Sequence, residues 1–203
     1  MSTGKVVLLA AVALLAPGAA RAAGISVEGF YGLDWPQSPS FSAAVSGISN
    51  SPDLFASTLQ MAGGDVLVNL GGLELGGIID TTFGHQTASQ TAIGALAGLA
   101  LPAGPLNVDL LAEAGGHRYG NFVSNPDVVT SSSSNEWLFY IGLRPGFTVK
   151  LGGGPLFVGL WGFVRWDVTS KNLPVTVGNA GDAGSYKLGG TTVGATLRLG
   201  FAL

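Results

Sequence analysis

From Thr191 the chain reads TTVGATLRLGFAL, a stretch in which every second residue is apolar and the residues between are not. Val193, Ala195, Leu197, Leu199, Phe201 and Leu203 fall on one side. Thr192, Gly194, Thr196, Arg198 and Gly200 fall on the other. A period of two is the signature of a β-strand whose faces meet different surroundings. The pattern recurs upstream. Leu156, Val158, Leu160, Val164 and Trp166 alternate with Gly159, Trp161, Arg165 and Asp167, and Trp137 to Leu151 alternates with Glu136, Tyr140, Arg144, Thr148 and Lys150. Leu106, Val108, Leu110, Ala112 and Ala114 alternate with Asn107, Asp109, Glu113 and His117. A helix cannot hold such a pattern on one face, so the chain is all-β.

The connections alternate too. Gly71-Gly72, Pro102 to Pro105 and Gly152 to Pro155 are tight and rich in turn formers. Roughly 35–57, 85–91, 120–135 and 169–187 are longer polar segments, and NPDVVTSSSSN and NAGDAG make the last two read as mobile. The segments define eight strands, near 24–34, 58–70, 73–84, 92–101, 106–119, 136–151, 156–168 and 188–203. Gly63-Gly64-Asp65 interrupts the second. An even number of strands with short turns at one end and long loops at the other predicts an eight-stranded antiparallel up-and-down barrel.

Composition decides what surrounds it. Charged residues are 10% of the 203, hydrophobic residues 47%, and 33 are glycine; soluble domains carry about 25% charged residues. Beyond the N-terminus no apolar run nears the roughly 20 residues of a spanning helix. Strands of this length instead suffice to cross a membrane at a tilt. The chain has no cysteine, which excludes disulfides, thiol chemistry and lipidation at an N-terminal cysteine. MSTGK, VVLLAAVALLA and Ala20-Arg21-Ala22 read as a cleavable signal peptide over 1–22, leaving a barrel domain over 23–203. Cleavage removes Lys5 and Arg21 and deepens an acidic excess that stands at −3 in the whole chain. No basic stripe suits nucleic acid.

A barrel points alternate side chains outward and inward. With the apolar face toward lipid, Tyr31, Phe83, Trp137, Phe139 and Trp166 would form an outward aromatic girdle near the loops. Phe147 and Phe201 would lie nearer the turns. The inward set would contain Glu28, Glu74, Asp80, Asp109, Glu113 and Glu136 facing Arg144, Lys150, Arg165 and Arg198. Heights along the strands suggest an upper layer of Glu113, Arg144 and Arg165 and a lower one of Asp109 and Arg198. Buried charges are costly unless paired, so these residues are expected to form an ion-pair network that fills the interior. The other reading of the same set is a narrow, gated polar pathway, against which bulky Phe30, Tyr140, Trp161 and Phe163 count.

With these features the chain resembles the small eight-stranded bacterial outer-membrane β-barrels of the OmpA/OmpX-like type. The likeness is carried by MSTGKVVLLAAVALLAPGAARA, the alternating strands and TTVGATLRLGFAL. It implies a monomer in the outer membrane of a Gram-negative envelope, with outer-membrane lipids and the barrel-assembly machinery as partners, the latter through the last strand. Phe201 is followed by Ala202 and Leu203 rather than being terminal, a departure from that family's ending. Members serve as anchors, adhesins, defence factors, small channels or enzymes, so the resemblance does not choose a role.

Other chemistries are weaker. His117 with Glu113 four positions earlier, and Ser124 or Ser131 to Ser134 nearby, are the parts of a lipid-modifying hydrolase, but this histidine points into the lumen. His85 has no carboxylate near it in sequence, two histidines do not make a metal site, and no cofactor motif is present; LGGGP lacks the lysine and helix of a phosphate loop. A secreted lipocalin-like binder would need the same strands turned inside out, with the arginines in water. The expected role is structural or surface-interacting, the alternative a low-conductance pore.

Overall fold

The structure is a computed structural model, and it describes residues 24–37, 39–43, 57–83, 89–120, 130–131, 135–176 and 182–203. The signal peptide, His85, Ser124 and Ser132 to Ser134 lie outside them. Twelve strands follow in chain order: β1 (Gly24–Pro36), β2 (Ser40–Ala43), β3 (Leu59–Leu70), β4 (Leu73–Phe83), β5 (Ser89–Ala103), β6 (Leu106–Gly120), β7 (Thr130–Ser131), β8 (Glu136–Lys150), β9 (Leu156–Asp167), β10 (Lys171–Thr176), β11 (Asp182–Leu188) and β12 (Thr191–Ala202). Eight of them close an antiparallel barrel in the order β1-β12-β9-β8-β6-β5-β4-β3. The first and last strands zip together from Ser26 opposite Ala202 to Pro36 opposite Thr192, so no edge remains open.

The tight turns have a local cause. Gly71, Gly72, Gly104 and Gly152 adopt positive φ of 70°, 102°, 66° and 66°, a conformation that only glycine takes without strain. Asn69 Oδ1 accepts a hydrogen bond from the Gly72 amide at 3.1 Å and pins the first of these turns.

Three expectations need correction. The segment around 169–187, read as mobile, folds over its described part into the β10–β11 hairpin. With β2 and β7 it makes a four-stranded sheet, β2-β11-β10-β7, at the loop end. Its buried side chains are Leu173, Tyr186 and Leu188, which a loop reading of KNLPVT and SYKL overlooks. The last barrel strand starts at Thr191 rather than 188, because Gly189 takes a φ of 104° and separates it from β11. Conversely, β3 runs unbroken through Gly63-Gly64-Asp65: Gly63 sits where a side chain would collide with Phe30 and the Asp80 Cβ, so the glycine serves packing rather than a break.

The barrel wall separates two environments. Outward positions hold Val27, Leu75, Ile79, Ile93, Leu110, Leu143, Leu160, Leu197, Leu199 and other large apolar residues, all exposed. Inward positions hold the buried charges together with an apolar cluster of Phe30, Met61, Leu67, Ile78, Leu96, Leu111, Trp161 and Phe163. Exposed apolar area so extensive exceeds by far the few hundred Å² that water-soluble monomers leave uncovered.

Candidate functional site

The site is the lumen. Alternation on β8, β9 and β12 sends Arg144, Arg165 and Arg198 inward, where they are 0%, 2% and 0% exposed. Toward the loop end, Glu113 on β6 is the hub. Arg144 donates to Glu113 Oε2 from Nε at 3.2 Å and from Nη2 at 3.0 Å. Arg165 donates to Glu113 Oε1 from Nε at 3.1 Å and Nη2 at 2.7 Å, and the Tyr140 hydroxyl reaches the same oxygen at 2.5 Å. Arg165 also grips Asp80 of β4 with two nitrogens, Nη1 at 3.0 Å from Oδ1 and Nη2 on Oδ2. Four strands are thereby tied across the barrel.

A second cluster lies nearer the turns. Arg198 Nη1 meets Glu28 Oε2 at 3.1 Å and Asp65 Oδ2 at 2.7 Å. Its other nitrogens have no hydrogen-bond partner among the described residues, and its guanidinium carbon lies 4.1 Å from the Trp161 ring centroid and 5.0 Å from that of Phe30. Arg144 and Arg165 each lie 5.0 Å over Phe163. Ring faces thus take up the cationic surface that oxygens do not, an attraction that strengthens where water is excluded. The two clusters share the Phe30 ring, since Arg144 lies 5.7 Å over it.

Several residues fall elsewhere than expected. Glu136 is not part of the interior network: at the loop-side end of β8 it pairs with Lys171 Nζ at 2.6 Å, on the outside of the lumen mouth, with the lysine half exposed. Lys150 is exposed at the turn-side mouth. The Thr148 hydroxyl donates to Asp109 at 3.5 Å, and Arg198 pairs with Glu28 and Asp65, to which the barrel's stagger brings it. Glu74 accepts from Asn69 Nδ2 at 3.2 Å beside the first turn. His117 pairs with Asp167, Nδ1 to Oδ1 at 3.2 Å, and not with Glu113; the Tyr119 hydroxyl donates to Asp167 Oδ2 at 2.6 Å.

Sequence reasoning missed Asp34 and Asp65 as lumen residues, and left Asp167, which it placed on the Arg165 face of its strand, out of the inward set. Asp65 was hidden by the glycines before it, although its two-residue spacing from buried Leu67 carried the signal. On the turn side the lumen opens into a vestibule of about 280 Å³, lined among others by Glu28, Glu74, Asp109, Lys150 and Trp161. On the outer wall Tyr31, Phe83, Trp137, Phe139, Trp166, Phe147 and Phe201 are all exposed, between 38% and 51%. Tyr31 stacks near Phe83, centroids 6.0 Å apart.

No family model matches the chain, and no curated protein does. Solved structures do. The crystal structure of Neisserial surface protein A superposes with a TM-score of 0.52 at 10% identity, covering 88% of this chain and 99% of that one. The N-terminal β-barrel domain of Pseudomonas aeruginosa OprF gives 0.50 at 14% identity, over 89% and 97%. The solid-state NMR structure of outer membrane protein AlkL in DMPC bilayers gives 0.49 at 13% identity, over 93% and 94%. The fold is that of the small eight-stranded outer-membrane β-barrels.

Proposed function

We propose that the protein is a monomeric integral barrel of a Gram-negative outer membrane, exported by its first 22 residues and inserted by the barrel-assembly machinery through β12. Its role is structural or surface-interacting, with the loop-side sheet as the contact surface. Membrane placement is supported by the apolar outer wall, by closure, which leaves no unpaired backbone for hydrocarbon, and by the outer-membrane neighbours. One observation carries the structural reading: Glu113, Arg144, Arg165, Asp80 and the rings of Tyr140, Trp161 and Phe163 are all buried inside the barrel, with the charges bridged from strand to strand.

A low-conductance pore is the second reading, favoured by the vestibule, which leads inward to Glu28 and Trp161. Seven carboxyls (Glu28, Asp34, Asp65, Glu74, Asp80, Asp109 and Glu113) are buried against three guanidiniums, so such a pore would prefer cations. Planar-bilayer recording of the purified barrel separates the two. The filled lumen gives silence in the wild type; discrete cation-selective openings in the wild type overturn the structural role.

A further inference from the structure

Charge on the barrel strands obeys one rule with one exception. Glu28, Asp34, Asp65, Glu74, Asp80, Asp109, Glu113, Glu136, Arg144, Lys150, Arg165, Asp167 and Arg198 occupy the lumen-side set of alternate positions. Arg118 on β6 is the sole charge on the outward set. It stands at the loop-side end, where register places it opposite Thr91 of β5 on one side and Trp137 of β8 on the other. Thr91 in turn stands opposite Thr81 of β4. Four neighbouring strands therefore present hydroxyl, hydroxyl, guanidinium and indole in one outward row.

The side-chain geometry fits a membrane surface. Arg118 bends away from the apolar wall toward the loops, its Nε lying 3.7 Å from where a Gly120 Cβ would stand, an ordinary contact distance; the missing side chain instead makes room for Asn135 Oδ1, beside the arginine. Below it, the Trp137 ring occupies the outer face of Gly116, 2.9 Å from where a Cβ would stand. Apolar wall, then indole, then cation is the order imposed by a bilayer boundary, where long basic side chains carry their charge out of hydrocarbon. The guanidinium has no ion pair among the described residues, half-buried though it is. Thr81 Oγ1 donates to the Gln90 carbonyl at 3.1 Å and lies 3.2 Å from Thr91 Oγ1, so the Thr91 hydroxyl is the donor between the two threonines and the pair forms a polar patch beside Arg118. The turn-side end has no counterpart: its outward residues include Leu70, Leu73, Leu101, Leu156 and Leu203.

We propose that Arg118, with Thr91, Thr81 and Trp137, binds the phosphate of an anionic lipid headgroup in the loop-side leaflet. The guanidinium fork matches phosphate oxygens in charge and geometry, the paired threonine hydroxyls keep that flank of the site polar, and the indole takes the lipid's upper acyl or sugar surface. This site rests on the membrane reading above. In a chain with an overall acidic balance, an isolated outward arginine cannot be explained by a general attraction to anionic surfaces.

Native mass spectrometry of the purified barrel in nonionic micelles, titrated with diphosphoryl lipid A or with the same lipid dephosphorylated, tests it. The wild type should retain the phosphorylated lipid about tenfold more strongly, the scale of one charge-assisted bond set. Arg118→Gln should erase that preference, Arg118→Lys should keep part of it, and Lys150→Gln, an equal change of net charge at the other mouth, should leave it intact. Equal retention of both lipids by the wild type, or an unchanged preference in Arg118→Gln, overturns the site. So does release of the bound lipid by millimolar inorganic phosphate, which would mark a free-anion site. Heat-modifiable gel mobility and vesicle insertion are read on the same samples: a chain that folds without detergent overturns the membrane reading itself, whereas a barrel that inserts but shows no lipid preference overturns only the site.

Discussion

Replacing Arg165 with methionine keeps the bulk of the side chain and removes four hydrogen bonds at once, two to Glu113 and two to Asp80. The loss is uneven. Glu113 retains Arg144 at 3.0 Å and the Tyr140 hydroxyl at 2.5 Å, so its charge stays compensated. Asp80, 4% exposed, loses the partner of its ion pair. Stranding one member of a buried pair costs about 3–5 kcal/mol, and Arg165→Met should cost that much. Removing Asp80 as well, as Asp80→Asn with Arg165→Met, should recover about 2 kcal/mol of it, since contacting residues couple on that scale. Equilibrium urea unfolding in lipid vesicles, followed by tryptophan fluorescence and by the mobility shift of the folded band, measures both. A loss below about 1 kcal/mol, the worth of a solvated surface pair, would refute the reasoning: the lumen would then be wet enough to screen its charges, and the network would not seal it.

Other outcomes follow from the same geometry. Lys171→Ala, which breaks the exposed pair with Glu136, should shift stability by less than about 1 kcal/mol in the same unfolding assay. Gly146→Ala sets a methyl where Trp161 Cγ lies 2.6 Å away, and should cost about 1–3 kcal/mol and alter the tryptophan emission of the folded barrel. Leu197→Arg puts a cation on the outward face of β12, where Leu197 is 60% exposed, and should reduce folding stability in vesicles by about 2–4 kcal/mol; a neutral effect there would contradict lipid contact. Arg144→Ala opens space between Phe30 and Phe163, so planar-bilayer recordings should show brief cation-selective events absent from the wild type.

The sequence by itself determined the barrel and its inside-out polarity. Strand alternation is a one-dimensional property: Leu197 and Leu199, which flank Arg198, lie on the face opposite to it in any extended strand. Glycine-rich turns at 71–72, 104 and 152 then set which neighbours pair. Low charge added the reason for an apolar exterior. Those local rules also reached the three buried arginines, because each is flanked by apolar residues of opposite parity.

Only the tertiary structure decided who meets whom. Arg198 finds Glu28 and Asp65, and Asp109 finds Thr148, because the stagger of a closed barrel sets the heights of residues on opposite walls, and no strand encodes that offset alone. Glu136 leaves the network for the same kind of reason: its parity is right for the lumen, but it stands above the mouth, where Lys171 of the loop-side hairpin is within reach. That hairpin escaped notice because its strands are short and partly polar, so its pairing partners supply the pattern that its own sequence lacks. Arg118 shows the converse. Its outward parity was readable from β6, but its meaning came from Thr91 and Trp137, which only sheet register sets beside it.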